Sequence, residues 1–226
     1  MRKIHSIEFP GPVGRLEGLL HVPAEPPTFA AVVSHAHPLH GGRMEFKTLY
    51  RLSRAVEDAG AVVLRYNFRG VGGSEGTHDD GRGEVDDLRA AVAHLRSGPG
   101  AGLPLLLAGF SFGSVMSVKA ALAGEDADGL LLAGAPRRMY ELSELAGWGG
   151  PVAFIHGEKD VHGLLPEIQA FVKTLSDPAE LRVVSGADHF FTDHQRPMVQ
   201  LLEKMLASGV LATVVRGNRT PARSDA

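Results

Sequence analysis

The chain has 226 residues with 44% hydrophobic and 22% charged side chains, which gives ample material for a buried core and excludes a disordered body. Its formal net charge of −3 offers no basic surface for nucleic acid or an anionic membrane, so a small neutral or acyl molecule is the expected partner. With no cysteine, disulfides, a thiolate nucleophile and cysteine-ligated metals are excluded, and a cytoplasmic address is expected.

At the amino terminus Arg2 and Lys3 precede no apolar core of signal-peptide length, and no run approaches the ~18 apolar residues of a membrane span. Residues 4–9 and 16–22 read as an antiparallel hairpin around Pro10-Gly11-Pro12-Val13-Gly14. The apolar run 29–33 is a buried strand opening into Ser34-His35-Ala36-His37-Pro38-Leu39-His40-Gly41-Gly42. Phe46, Leu49, Leu52 and Val56 recur at helical spacing up to Gly60, and 61–64 is a further buried strand. A glycine-rich loop over 67–83 leads to the helical face Val85, Leu88, Val92 and Leu95. Strand 104–108, a tight turn and helix 114–123 follow, then strands 129–133 and 152–155. Leu164, Leu165, Ile168, Phe171, Val172 and Leu175 form a helical stripe, 181–184 a strand, and Met198, Leu201, Leu202 and Met205 the last helix.

This alternation predicts an α/β fold: one mostly parallel, twisted sheet with an N-terminal antiparallel hairpin and helices on both faces. We expect a single domain over 1–208 and a C-terminal extension over 209–226, frayed where 216–226 turns polar. Parallel crossovers bring the loops that follow the strands to one edge, and Ser111, Asp160 and His189 all fall in such loops.

Two pentapeptides fit G-x-S-x-G, Gly72-Gly73-Ser74-Glu75-Gly76 and Gly109-Phe110-Ser111-Phe112-Gly113. An apolar strand enters only the second and an apolar helix leaves it, so Ser111 is the candidate nucleophile. A serine hydroxyl needs a base, and the base needs a group that fixes its tautomer. His189 and Asp160 supply these in the order serine, acid, histidine. Glu158, Asp188 and Asp193 rival Asp160, and His194 rivals His189. Backbone N–H groups of Phe112 and of the loop after strand 29–33 are the expected oxyanion donors; Pro38 has none, leaving Ala36 or His37, of which His37 is favoured.

His35-x-His37-x-x-His40 also resembles a metal-binding histidine cluster, a weaker match that would leave the serine turn unexplained. The loop over 67–74 lacks the spacing of a nucleotide cradle, and Arg65 and Arg69 read as structural partners of carboxylates or carbonyls. Phe190 and Phe191 read as core packing. Arg137, Arg138, Met139, Tyr140 and Trp148 either line one wall of the site or pack over the core.

Together the histidine loop, Leu64-Arg65-Tyr66-Asn67-Phe68-Arg69-Gly70-Val71-Gly72, the Ser111 pentapeptide and Asp188-His189-Phe190-Phe191 resemble the α/β-hydrolase superfamily over about 29–206. Within it they are similar to the small capless carboxylesterases and dienelactone-hydrolase-like proteins. The resemblance implies an acyl-enzyme on Ser111, no cofactor, no metal and an open site, since 136–150 leaves room for one helix at most. Two departures stand out: Asn67 occupies a position where many relatives carry aspartate, and the cysteine nucleophile of dienelactone hydrolases proper is missing. A non-catalytic binding protein on the same fold is the alternative from a different class.

Overall fold

A computed structural model describes residues 2–175 and 179–219. Strands β1 (Lys3–Gly11) and β2 (Gly14–Val22) pair antiparallel from Lys3↔Val22 to Gly11↔Gly14. Gly14 closes this turn at φ 142°, a conformation that favours glycine. The apolar runs become β3 (Phe29–Ser34), β4 (Ala61–Tyr66), β5 (Leu105–Phe110), β6 (Gly129–Ala133) and β7 (Val152–Gly157), buried at every residue. Strands sandwiched between helix layers need apolar side chains on both faces, which is why these runs do not alternate. At the edge, β8 (Ala179–Val184) is only partly buried.

All eight strands form one sheet in the order β1-β2-β4-β3-β5-β6-β7-β8. Pairing is antiparallel at β1–β2 and β2–β4 and parallel everywhere else. The helices are α1 (Lys47–Asp58), α2 (Gly83–Arg96), α3 (Phe112–Leu122), α4 (Leu165–Val172), α5 (Gln195–Ser208) and α6 (Ala212–Val215). One core, containing Leu88, Val92, Val115, Ile168 and Phe171, lies under α2, α3 and α4; the other, containing Leu49, Leu52, Met198, Leu202 and Val214, lies under α1, α5 and α6. α3 is buried almost all round, as expected of a helix enclosed by its neighbours.

The chain leaves β3 toward β4 on one side and returns to β5 on the other. The loops after β3 and β5 therefore diverge to opposite faces and open a crevice at the carboxyl edge, where open α/β sheets place their ligands. Both the histidine loop and the Ser111 turn border it.

One expectation needs correction. The stripe from Leu164 to Leu175 exceeds its helix, because Leu164 is extended at ψ 135° and the helix ends at Val172. Packing continues past 208: Leu211 and Val214 are fully buried, and Thr28 Oγ1 donates to the Val215 carbonyl at 2.7 Å. A four-residue helix is too short to show a period, so this docking left no trace in the pattern. Of the stretch expected to fray, 220–226 lies outside the described residues.

Candidate active site

Ser111 sits between β5 and α3 at φ 54° and ψ −119°, backbone angles that a non-glycine residue adopts only when its surroundings impose them. The flanking glycines show the constraint. A Cβ on Gly109 would stand 2.2 Å from the Gly113 backbone, and one on Gly113 would stand 2.1 Å from the Ser34 carbonyl oxygen. Glycine at both positions lets the start of α3 fold back on β5 and touch the end of β3. The Ser111 N–H donates to the Ala133 carbonyl at 2.9 Å, and its carbonyl accepts from Ser114 Oγ at 2.6 Å.

His189 follows β8 on a turn locked to the turn after β7. Glu158 N–H donates to the Val184 carbonyl at 3.1 Å and Lys159 N–H to the Ala187 carbonyl at 2.8 Å. Gly157 permits that approach, since a Cβ there would meet the Asp188 carbonyl oxygen at 2.4 Å. His189 Nδ1 lies 2.7 Å from Asp160 Oδ2, and Nε2 lies 2.9 Å from Ser111 Oγ. A carboxylate only accepts, so Nδ1 carries the proton and Nε2 turns its lone pair to the serine hydroxyl.

Asp160 is buried and its second oxygen accepts from the His162 N–H at 2.8 Å. Burial raises its pKa, but the hydrogen bond from His189, the His189 and His156 charges and the His162 N–H together hold it below the usual carboxylate value. His156 is also buried; its Nε2 donates to the Gly163 carbonyl at 2.5 Å and stands 3.6 Å from Asp160 Oδ2. Burial lowers the His156 pKa.

The rivals engage elsewhere. Glu158 accepts from Ser185 Oγ and Gly186 N–H, Asp188 from Thr192 N–H, and His194 Nδ1 bonds the Thr192 carbonyl. Asp193 is exposed at φ 57°. Ser74 donates from Oγ to the Asn67 carbonyl and accepts from Glu17 N–H.

Phe112 opens α3, so its N–H has no partner within the helix and points from the positive end of the helix dipole. The His37 ring packs 5.0 Å from the Phe112 ring, which puts the histidine loop beside the serine turn. His37 Nδ1 accepts the Leu39 N–H at 3.2 Å, and burial, followed by the neighbouring His78 and His40, lowers its pKa. His35 is buried with Nδ1 on the Ala36 carbonyl and Nε2 accepting the Phe68 N–H. Burial pushes its pKa down to about 4. Both nitrogens of His35 are committed, and among the described residues no group of three or more His, Asp or Glu is arranged to hold a metal.

Asn67, the departure from the family pattern, donates from Nδ2 to Glu17 at 2.6 Å and accepts the Met44 N–H at 2.7 Å. Aspartate here would set a second carboxylate against Glu17. Arg69 grips Asp87 with Nε and Nη2, and Arg65 donates to the Met44 carbonyl, the structural roles expected of them.

In the short segment between β6 and β7, Leu142, Leu145 and Trp148 pack into the core. Tyr140 approaches Phe112 at 6.0 Å, and Met139 is exposed. Phe191 is core as expected, but Phe190 is not: it is 47% exposed and its ring abuts His189 at 5.1 Å. His162, 4.5 Å from the His189 ring, is a neighbour that the sequence pattern does not flag. Its position two residues after Asp160 is the one signal that points to it.

Residues 32–143 match the family described as Hydrolase_4, serine aminopeptidase, S33. An uncharacterized protein of Rickettsia prowazekii is 35% identical over 195 residues, spanning 82% of each chain. A solved α/β serine hydrolase homologue from Coxiella burnetii is 34% identical with a TM-score of 0.84, covering 90% of this chain and 97% of that one. A Xanthomonas campestris structure described as an α/β serine hydrolase without lid is 29% identical with a TM-score of 0.82, covering 98% and 97%.

Proposed function

Since this chain belongs to the α/β-hydrolase superfamily, we propose that it is a serine hydrolase that cleaves carboxylic esters, thioesters included, through an acyl-enzyme on Ser111. The observation that carries this reading is the continuous hydrogen-bonded path Ser111–His189–Asp160, 2.9 Å and then 2.7 Å. Ser111 Oγ attacks the acyl carbon while its proton passes to His189 Nε2, and the carbonyl electron pair moves onto oxygen. The Phe112 and His37 N–H groups hold that oxyanion; losing one such donor typically costs about 3 kcal/mol in the transition state. The carbon–oxygen bond to the alcohol then breaks and Nε2 returns its proton to the leaving oxygen. Water repeats the sequence on the acyl-enzyme, releasing the acid and restoring Ser111. Asp160, ionised, stabilises the imidazolium formed at each step.

No step calls for a cofactor, and a small ester suits the mild negative charge better than nucleic acid or a membrane surface. Among the described residues no helix is long and apolar enough to cross a membrane, and a cytoplasmic location belongs to this proposal. A fluorophosphonate is expected to label Ser111 in the native protein, and butyrate ester turnover is expected to vanish in Ser111→Ala. Folded protein that neither labels nor turns over short esters would reject the hydrolase in favour of a binding protein.

A further inference from the structure

His189 Nε2 takes the serine proton and must return it to the leaving oxygen, so the alcohol half of the substrate lies against the imidazole edge. Side chains that both touch this ring and reach solvent therefore border the alcohol. Three rings touch it: Phe110 at 5.2 Å, His162 at 4.5 Å and Phe190 at 5.1 Å. Phe110 is fully buried beneath, which leaves Phe190 and His162.

Phe190 stands edge-on to the imidazole at 81° with nearly half of its surface uncovered. It is exposed yet firmly held. Its carbonyl accepts from Thr48 Oγ1 at 2.8 Å and Gln195 Nε2 at 2.9 Å, and its ring leans on Phe46 at 5.9 Å and Phe110 at 6.2 Å. A pre-positioned apolar face costs little ordering when a ligand covers it. The surroundings extend the theme: among the described residues, five of the eight exposed large apolar side chains, Leu39, Met139, Val161, Leu164 and Phe190, follow β3, β6, β7 or β8 at this edge. A flat aromatic group set against Phe190 gains ring–ring attraction as well as buried area.

We infer that the substrate's leaving alcohol is apolar and planar, of the benzyl or aryl type, and that the Phe190 ring selects it. This rests on the ester-hydrolase reading. Butyrate esters of benzyl alcohol, cyclohexylmethanol and ethanol test it, because all three pass through one butyryl-enzyme and only acylation, read as kcat/KM, can differ. The benzyl ester is expected to lead, and in Phe190→Ala the benzyl-to-ethyl ratio falls on the order of tenfold, the scale on which an apolar pocket discriminates between substrates. Phe190→Tyr retains the ratio, and the ethyl acetate-to-ethyl butyrate ratio does not move in either variant. Ser111-dependent turnover with an unchanged benzyl-to-ethyl ratio in Phe190→Ala, or with the acyl ratio shifting equally, overturns this inference alone. Equal rates for benzyl and cyclohexylmethyl esters overturn its planar part, whereas absence of any Ser111-dependent turnover overturns the hydrolase as well.

Discussion

Two stretches of this chain spell G-x-S-x-G, and the fold gives them opposite roles. Ser74 and Ser111 are nearly equally hidden, at 6% and 9% exposure, so burial does not separate them. Their partners do. Ser74 spends its hydroxyl on the backbone of Asn67 and Glu17, tying the loop after β4 to β2, while the Ser111 hydroxyl meets an imidazole that a buried carboxylate holds in place. The glycines differ in purpose too. Gly72 and Gly76 supply backbone angles of φ 57° and 87°, whereas Gly109 and Gly113 supply room for one backbone to press on another. A pentapeptide therefore names residue types, and the strand and helix around it decide whether they turn a chain or set a serine hydroxyl against an imidazole.

The largest effect that sharpens this contrast is expected from the serines themselves. Ser111→Ala should lower kcat/KM for a short ester by about 10⁵-fold, whereas Ser74→Ala should retain activity within about threefold and lose roughly 1–2 kcal/mol of stability. Ester kinetics and urea unfolding of the two variants, side by side, check both halves. Next is Asp160→Asn, which exchanges the acceptor of the Nδ1 proton for an amide; a fall of about 10⁴-fold is expected, and full turnover would reassign the acid.

Among the glycines, Gly113→Ala should cost upward of about 3 kcal/mol, because the new methyl meets the Ser34 carbonyl. Gly76→Ala should cost only about 1–2 kcal/mol, for its strain is local and its nearest obstacle is the Val13 side chain. Equal shifts in denaturation midpoint would erase the distinction between the two motifs.

A more gradual effect comes from pH and from His35, whose carbonyl lies close to Gly113. The unfolded chain protonates this histidine near 6.5 and the folded chain only near about 4. Between those values the unfolded state binds more protons, so stability present above pH 6.5 is lost as pH falls, by up to roughly 3 kcal/mol. Melting temperatures from pH 7 to 4.5 should trace that decline, and His35→Asn should make it shallower, His156 and His37 supplying the remainder.

The sheet, its hairpin and the Ser111–Asp160–His189 order were legible because each rests on a repeated local signal, a continuous apolar run or a residue placed just after one. Features that rest on contacts between distant segments were not. Nothing in Phe190-Phe191 tells which ring turns inward; Thr48 and Gln195, brought from two helices, fix that choice. Leu211 and Val214 dock through a helix too short for periodicity, and His162 matters through a backbone N–H that carries no side-chain signature.

The segment between β6 and β7, pinned to the core by Leu142, Leu145 and Trp148, also bears on timing. Catalysts with a cover over the reacting groups often spend their slowest moment opening it. Here the mouth is flanked by parts already fixed in the scaffold, so under the proposed hydrolase reading bond making and breaking, and not an opening motion, is expected to set the pace. Turnover should then respond to heavy water and to the acyl group while remaining indifferent to solvent viscosity.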